Sequence, residues 1–476
     1  MKRCYLLHVL LFFCFHLMIA QEATLDASFD PGFNTNSTIL SILQQADGKF
    51  VVSGHFDNRI VRLNSDGTLD NTFTSPGLFG SILYSTAFTS EGKILVGGEF
   101  TTFYNVPANR LVRLFSNGTL DSSFNIGAGA NNYIRKVIVL PDGKILIAGR
   151  FTQYNGIARA GIARLNSDGT LDSSFNPGTG LTGITGEAVS MSVQTDGKIL
   201  LSGFFTSFNG ISANRTVRLN PDGSHDATFS SPFISGGAGG INNVDVILSL
   251  PDGKIMIGGN FTTVGGFARS SIARLNNNGT VDTTFVPNPG AQTTWGTTVS
   301  TVTLLNDENY LVGGTFATFN GVNRSGIVKV TSNGALDSSF DPGAGVVHGT
   351  GSGSVAQFLI QSDGKIVIGG HFLSYNGTER RFLARLNGSA ALSVLEDLPE
   401  KQVNLFPNPS NGEINIHQLP ENSEILITDL SGKIVWRKSN SYSSFMVINL
   451  QDLVKGIYLI QILSKNQSIQ KKLILK

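Results

Sequence analysis

The chain has 476 residues, with 35 Lys+Arg against 34 Asp+Glu for a formal net charge of +1, and only 14% of its residues are charged, below the ~25% usual for soluble domains. A near-neutral chain without basic runs is a poor match for nucleic acid, whose phosphates call for clustered Lys and Arg. At 41% hydrophobic it is not globally disordered, and 55 Gly against 15 Pro is not collagen.

Met1-Lys2-Arg3 is a short basic start, and Cys4 to Ala20 is almost continuously apolar. This predicts a secretory signal peptide over residues 1–20, cut after the small residue Ala20. The competing reading is a retained anchor, but the run is short for ~30 Å of hydrocarbon and carries His8 and His16. Both cysteines, Cys4 and Cys14, lie inside this segment. The exported chain therefore has no cysteine for disulfides, thiol catalysis or thiolate metal sites.

Residues 21–391 are dominated by repetition. One phrase recurs as Asp47-Gly48-Lys49, Glu91-Gly92-Lys93, Asp142-Gly143-Lys144, Asp196-Gly197-Lys198, Asp252-Gly253-Lys254, Asp307-Glu308-Asn309 and Asp363-Gly364-Lys365. Each is followed by an apolar run ending in Gly-x-Phe, then by an Arg-Leu-Asn phrase such as Arg164-Leu165-Asn166, then by a phrase of the type Leu171-Asp172-Ser173-Ser174-Phe175. Asp-Gly and Asn-Gly between apolar runs are strong hairpin signals, expected here as type I′ turns. Each unit reads as four strands, a to d. The apolar strand b suits a sheet covered on both faces. Seven such units predict a seven-bladed β-propeller.

The ends of the repeat region support closure. It begins with a strand-d phrase, Leu25-Asp26-Ala27-Ser28-Phe29, and ends with a strand-c phrase, Leu383-Ala384-Arg385-Leu386-Asn387. Together these make one blade from the two ends of the chain, leaving no open sheet edge. The first unit lacks part of its b–c loop at Phe56-Asp57-Asn58-Arg59, so a notch is expected there.

The b–c and d–a loops are long and variable and project from one end, which is the expected binding face. Candidate residues on it are Trp295 and His348 in d–a loops, the loop tyrosines Tyr154 and Tyr375, and Arg159 and Arg324. Trp295 reads either as a stacking platform for a sugar or partner, or as a plug in a blade gap. The loop arginines Arg59, Arg110, Arg159, Arg215, Arg269, Arg324 and Arg380 read either as a ring for an acidic glycan, or as internal partners of blade Asp or carbonyl groups. No catalytic serine, zinc or phosphate-loop motif is present, and Asn64-Ser65-Asp66-Gly67-Thr68-Leu69-Asp70 lacks the pattern of a calcium loop. No catalytic, cofactor or metal residue is assigned.

Residues 392–402 read as a linker and 403–476 as a small C-terminal β-sandwich of alternating strands. Pro407-Asn408-Pro409, Gly412, the turn with Gly432 and Lys433, Gly456-Ile457-Tyr458 and the basic-apolar terminus resemble the type A sorting domain of the Bacteroidota type IX secretion system. That resemblance implies passage across the outer membrane, to release or display at the surface, with the secretion machinery as partner. The repeats resemble the delta-60 repeat family of β-propeller proteins, with a sixth unit that departs at Asp307-Glu308-Asn309 and Lys329-Val330-Thr331. The expectation is an all-β protein, a closed seven-bladed β-propeller followed by a β-sandwich. It is secreted or displayed at the cell surface without a stable membrane span, and acts as a binding or adhesion module for glycan or protein. The alternative is an extracellular carbohydrate-active or other hydrolytic enzyme with its site at the propeller mouth.

Overall fold

The turns set the sheets. In Gln45–Lys49 the Gly48 N–H bonds to the Gln45 carbonyl, the Gln45 N–H bonds to the Lys49 carbonyl, and Gly48 alone takes a left-handed φ of 83°. These are longer loops with one left-handed glycine, where type I′ turns were expected. A two-residue turn with positive φ at both positions occurs instead at Asn155-Gly156 (49° and 76°) and at the matching aromatic-Asn-Gly phrases.

The computed structural model describes residues 22–33, 38–75, 81–293, 296–388, 404–406, 410–417, 423–429, 433–440, 445–463 and 468–475. The expected signal peptide lies outside them. Two compact units are present, Met1–Ala390 and Ala391–Lys476.

The first unit is a seven-bladed propeller. Blade 1 pairs strand a (Thr38–Gln44) with strand b (Phe50–His55), and b with strand c (Ile60–Leu63). Blade 2 begins at Leu83–Phe88, blade 3 at Ile134–Val139, blade 4 at Glu187–Val193, blade 5 at Asn243–Ser249, blade 6 at Thr298–Leu304 and blade 7 at Ser354–Ile360. Each strand a packs on the strand a of the next blade, and the seventh packs on the first. The a strands therefore form the inner ring. Strand d shrinks to a single bridge, such as Leu63 with Leu69. The reason is local: Asp70 Oδ1 accepts both the N–H and the hydroxyl of Thr72 at 2.9 and 2.6 Å, which bends the chain off the sheet.

The repeated phrases meet at one buried hub per blade. In blade 3, Asp172 Oδ2 binds Arg164 Nε at 2.7 Å and Lys144 Nζ at 2.9 Å, and the guanidinium lies 4.9 Å over Phe175. Arg164 also donates to the Pro221 carbonyl of the next blade. Thus Asp-Gly-Lys, Arg-Leu-Asn and Leu-Asp-x-Ser-Phe recur together because they build one device. Blade 6 keeps its strands but rebuilds the hub, with Lys329 bound to Asp307 at 2.8 Å, Glu22 at 3.0 Å and Asp337 at 3.4 Å.

Closure follows the same chemistry. Leu25 bridges Leu386, Asp26 N–H bonds to the Arg385 carbonyl, and Asp26 Oδ2 binds Arg385 Nε at 2.8 Å. Arg385 then reaches Ser65 of blade 1. Ile39 and Ile42 of blade 1 share a core with Val367 and Leu383 of blade 7.

The second unit has a three-stranded sheet (Asn404–Phe406, Glu413–His417, Phe445–Asn449) and a four-stranded sheet (Ile434–Asn440, Ser423–Thr428, Gly456–Leu463, Ser468–Leu475). Alternating Ile414, Ile416, Ile425, Ile427, Ile460 and Ile462 meet in its core. Gly412 holds a left-handed φ of 114° over Gln451, and the Tyr458 hydroxyl donates to the Val454 carbonyl at 2.6 Å. Lys433 N–H bonds to Asp429 Oδ1 at 3.1 Å, closing the turn there. Pro407, Asn408, Pro409 and Gly432 lie outside the described residues.

Candidate functional site at the propeller mouth

Strand a of every blade carries a bulge near its start, opposite the last glycines of strand b. In blade 3 the register runs from Ile134 with Gly149 to Lys136 with Ala148, so Arg135 is the extra residue. A bulge bends the strand and re-aims side chains. It also explains the glycine of Gly-x-Phe: a Cβ on Gly149 would run into the Tyr133 carbonyl oxygen, and the glycines of the other six blades meet the same obstacle.

The bulge residues are Leu40, Tyr84, Arg135, Val189, Asp245, Ser300 and Ala356. The x of Gly-x-Phe is His55, Glu99, Arg150, Phe204, Asn260, Thr315 and His371. These positions change from blade to blade in a constant frame, at the long-loop end of the inner ring. Several of them, with residues beside them, form two contact groups, one over blades 2 to 4 and one over blades 5 and 6. The Tyr84 hydroxyl donates to Glu99 Oε1. The Arg135 guanidinium stacks 4.0 Å from the Tyr84 ring centre and 5.1 Å from that of Tyr133. Its Nε donates to Glu187 Oε1 at 2.8 Å, and the Tyr133 hydroxyl donates to Glu187 Oε2 at 2.9 Å. Asp245 accepts from Asn243 beside it and from Thr298 of blade 6 at 2.7 Å. Contacts between neighbouring blades at this level lie on the inner ring, which the a strands form.

Burial shapes the electrostatics. It pushes the Tyr84 and Tyr133 hydroxyls upward. It works against the Arg135 cation, but Tyr84 and Glu187 outweigh it and raise the pKa. It raises the Asp245 carboxyl, only partly offset by the bonds from Thr298 and Asn243. It lowers the Lys136 amine. The wall is thus preorganised, with aromatic faces, fixed carboxylates and a held guanidinium side by side.

Of the candidates from the sequence, the tyrosines and the loop arginines fall elsewhere. Tyr154 and Tyr375 are fully buried, their hydroxyls donating to the carbonyls of Gly169 and Ala23. They are core residues and offer a ligand no surface, because each ring packs under its own small hairpin. Arg159 and Arg324 donate to the carbonyls of Ala158 and Asn323, and Arg324 also lies 3.5 Å from Asp341. The loop arginines do not form one ring. Arg110 and Arg215 bond through their N–H to the phenylalanine of Gly-x-Phe, whereas Arg159 and Arg324 sit two residues earlier in the motif. Trp295 lies outside the described residues. His348 stacks on His371 with ring centres 4.0 Å apart and buries an Nε2 without a hydrogen-bond partner. Blade 1 runs from His55 through a tight Phe56–Arg59 turn into strand c, without the small hairpin seen in the other six blades.

Residues 45–73, 89–124, 140–175, 194–229, 250–285, 306–340 and 361–389 match the domain of unknown function (DUF5122) beta-propeller. The chain belongs to this propeller family. Residues 404–476 match the secretion system C-terminal sorting domain. The propeller is therefore a passenger of the type IX secretion system, delivered to the cell surface or the extracellular space. No curated protein of comparable sequence was found. Among solved structures, the chain is similar to PorZ, a bacterial surface component of the type IX secretion system of Porphyromonas gingivalis, at 11% identity and a TM-score of 0.35, covering 92% of this chain and 66% of that one. It is also similar to the extracellular domain of the hybrid two-component system BT3049 from B. thetaiotaomicron, at 10% identity and a TM-score of 0.47, covering 95% and 57%. A protein of unknown function from Bacteroides caccae matches at 17% identity and a TM-score of 0.34, covering 60% and 91%. The chain thus spans less than two thirds of the first two of these proteins.

Proposed function

We propose that the propeller is an exported binding module that engages a glycan or protein ligand at its long-loop mouth. The observation that carries this reading is the wall that four blades build from Tyr84, Glu99, Tyr133, Arg135, Glu187 and Asp245. Aromatic faces next to fixed carboxylates suit polyhydroxylated ligands, since hydroxyls donate to carboxylates while the apolar face of a sugar ring packs on tyrosine. Glycan-array and cell-surface binding with the exported chain, residues 21–476, tests it. The substitutions Tyr84→Ala and Asp245→Asn should each weaken binding about tenfold or more while leaving the β fold intact, as circular dichroism would check. Binding that survives both, or that disappears only when the outer hairpins are trimmed, would move the site off the mouth.

A second reading, a hydrolase acting on glycans, draws on one observation. Burial raises the Asp245 carboxyl, and the Glu187 carboxyl of the neighbouring blade adds to that direction; a pair of carboxyls in unlike surroundings is the chemistry of glycoside cleavage. Turnover of chromogenic glycosides that is abolished by Asp245→Asn would support it. The absence of turnover on any ligand that binds would exclude it.

A further inference from the structure

The end of the ring opposite the mouth, where the a–b and c–d turns lie, holds a second recess. Between blades 3 and 4 a cleft of about 520 Å³ opens among Leu140, Pro141, Arg164, Val193 and Pro221, inside the ~300–1,000 Å³ range of small-ligand pockets. Two sister seams fill this place with glutamine. The residue that follows strand a is Gln45 in blade 1, Leu140 in blade 3 and Gln194 in blade 4, each with its N–H on the carbonyl of the turn lysine. Gln45 spans its seam: its Oε1 accepts from Arg62 Nη1 at 3.3 Å, and its Nε2 donates to the Ser116 carbonyl of blade 2 at 3.2 Å. Gln194 does the same, accepting from Arg218 Nη1 at 3.3 Å and donating to Asn277 Oδ1 of blade 5 at 3.4 Å. Leu140 has no polar atom beyond its backbone and can do neither. Arg164 is held as the other hub arginines are, with Nε on Asp172 and Nη1 on the Pro221 carbonyl of blade 4, the counterpart of Ser116. Its charge is matched by Asp172, but the second N–H of Nη1 meets no acceptor among the described residues. The Pro221 carbonyl keeps a lone pair that the Ser116 carbonyl, bonded by Arg62 and Gln45 together, puts to use. One donor and one acceptor therefore face an apolar cleft, in the arrangement that a carboxamide bridges in blade 1.

We propose that this cleft is a docking slot for a glutamine side chain presented on an apolar stretch of another polypeptide. It lies on a different face from the mouth and does not rest on the ligand reading above. Glutamine is what the chain itself places in the slot, and in both sister blades an apolar residue comes with it: Leu43 near Gln45 and Val193 before Gln194 pack on the blade cores. A neutral carboxamide offers an oxygen to Arg164 and an N–H to the Pro221 carbonyl from one planar group, while its apolar neighbours displace water from Leu140, Val193 and Pro221. A carboxylate has no N–H for the Pro221 carbonyl, and the thioether of methionine offers no N–H and only a weak acceptor.

Calorimetry with the exported chain, residues 21–476, should compare acetyl-Ser-Val-Gln-Thr-amide, which copies the strand end of blade 4, with the same peptide carrying Met or Glu in place of Gln. The Gln peptide is expected to bind about tenfold or more tighter than either. Leu140→Gln fills the slot from within, as blades 1 and 4 do, and is expected to fold normally and to weaken binding of the Gln peptide about tenfold or more. Equal affinity for the Gln and Met peptides would make the recess a merely apolar cleft, and tighter binding of the Glu peptide would make it a charge site. Either result overturns the proposal, as does a Gln peptide that does not bind at all. Binding that is unchanged in a folded Leu140→Gln chain overturns it too. The peptide ranking is read on the native protein, so it decides the question even where Leu140→Gln fails to fold.

Discussion

Glu308 stands where the other blades put glycine. Its φ of 63° is left-handed, a conformation that costs an ordinary residue about 1–2 kcal/mol. It is exposed, and its blade supports a rebuilt hub around Lys329. Glu308→Gly should therefore stabilise the propeller by about 1 kcal/mol in chemical denaturation, a rare gain from a single change. A loss of stability would mean that the side chain holds something the backbone argument misses. His371 offers a second residue-scale measurement. Burial, and then the proximity of His348, lower its pKa from the ordinary 6.5. The unfolded chain consequently takes up this proton first. The contribution of His371 to stability is complete above about pH 6.5 and is lost as pH falls through its own lower midpoint. A nuclear magnetic resonance titration should place that midpoint below 6.5 and move it upward in His348→Ala; an unshifted midpoint would contradict the stacked pair.

At the scale of the strand, bulge and glycine are one feature. Gly149→Ala would push a methyl group against the Tyr133 carbonyl. The expected cost is about 1–3 kcal/mol of stability, together with weaker ligand binding, because Arg135 rides on the same bulge. Gly156→Ala, whose Cβ meets nothing within 4 Å, should lose some stability through its positive φ and leave binding alone. This pairing also explains what the sequence revealed. The blades, their count and their closure were legible because Asp172, Arg164, Lys144 and Phe175 must recur together to build a hub. The mouth was not, because Arg135, Asp245 and Glu99 stand at positions that vary between copies and carry no motif. A bulge cannot be seen without the opposing strand. Tyr154 misled for the opposite reason: an aromatic residue in a loop phrase looks exposed until the hairpin folds over it. One cue was available, namely that x in Gly-x-Phe varies inside an otherwise fixed phrase.

At the scale of the molecule, the tail and the ring make separate demands. Removing residues 403–476 should leave the propeller folded but held in the periplasm, as fractionation would reveal; normal export of that truncation would refute the sorting role of the tail. The ring depends on Asp26, buried at the seam with Arg385 and Lys365. Burial alone would raise its carboxyl, but bonds from Ser28, Lys365 and Arg385 hold it well below the usual range. Asp26→Ala leaves two cations facing each other and should cost about 3 kcal/mol, measured by denaturant unfolding. It should also raise the tendency to associate, because the last sheet regains an open edge.

That seam has a temporal side. Arg385 and Asp26 are 359 residues apart in the chain, so the first blade-forming phrase to leave the ribosome is the last to find its place. Until residue 386 is present, Leu25 has no strand to join, and the inner strand of blade 1 lacks one neighbour. Seven near-copies that look modular therefore share one commitment step. A chain stalled or cut anywhere in the repeats remains an open arc with two sticky ends, and contacts of such long sequence separation make sealing slow compared with forming any single blade.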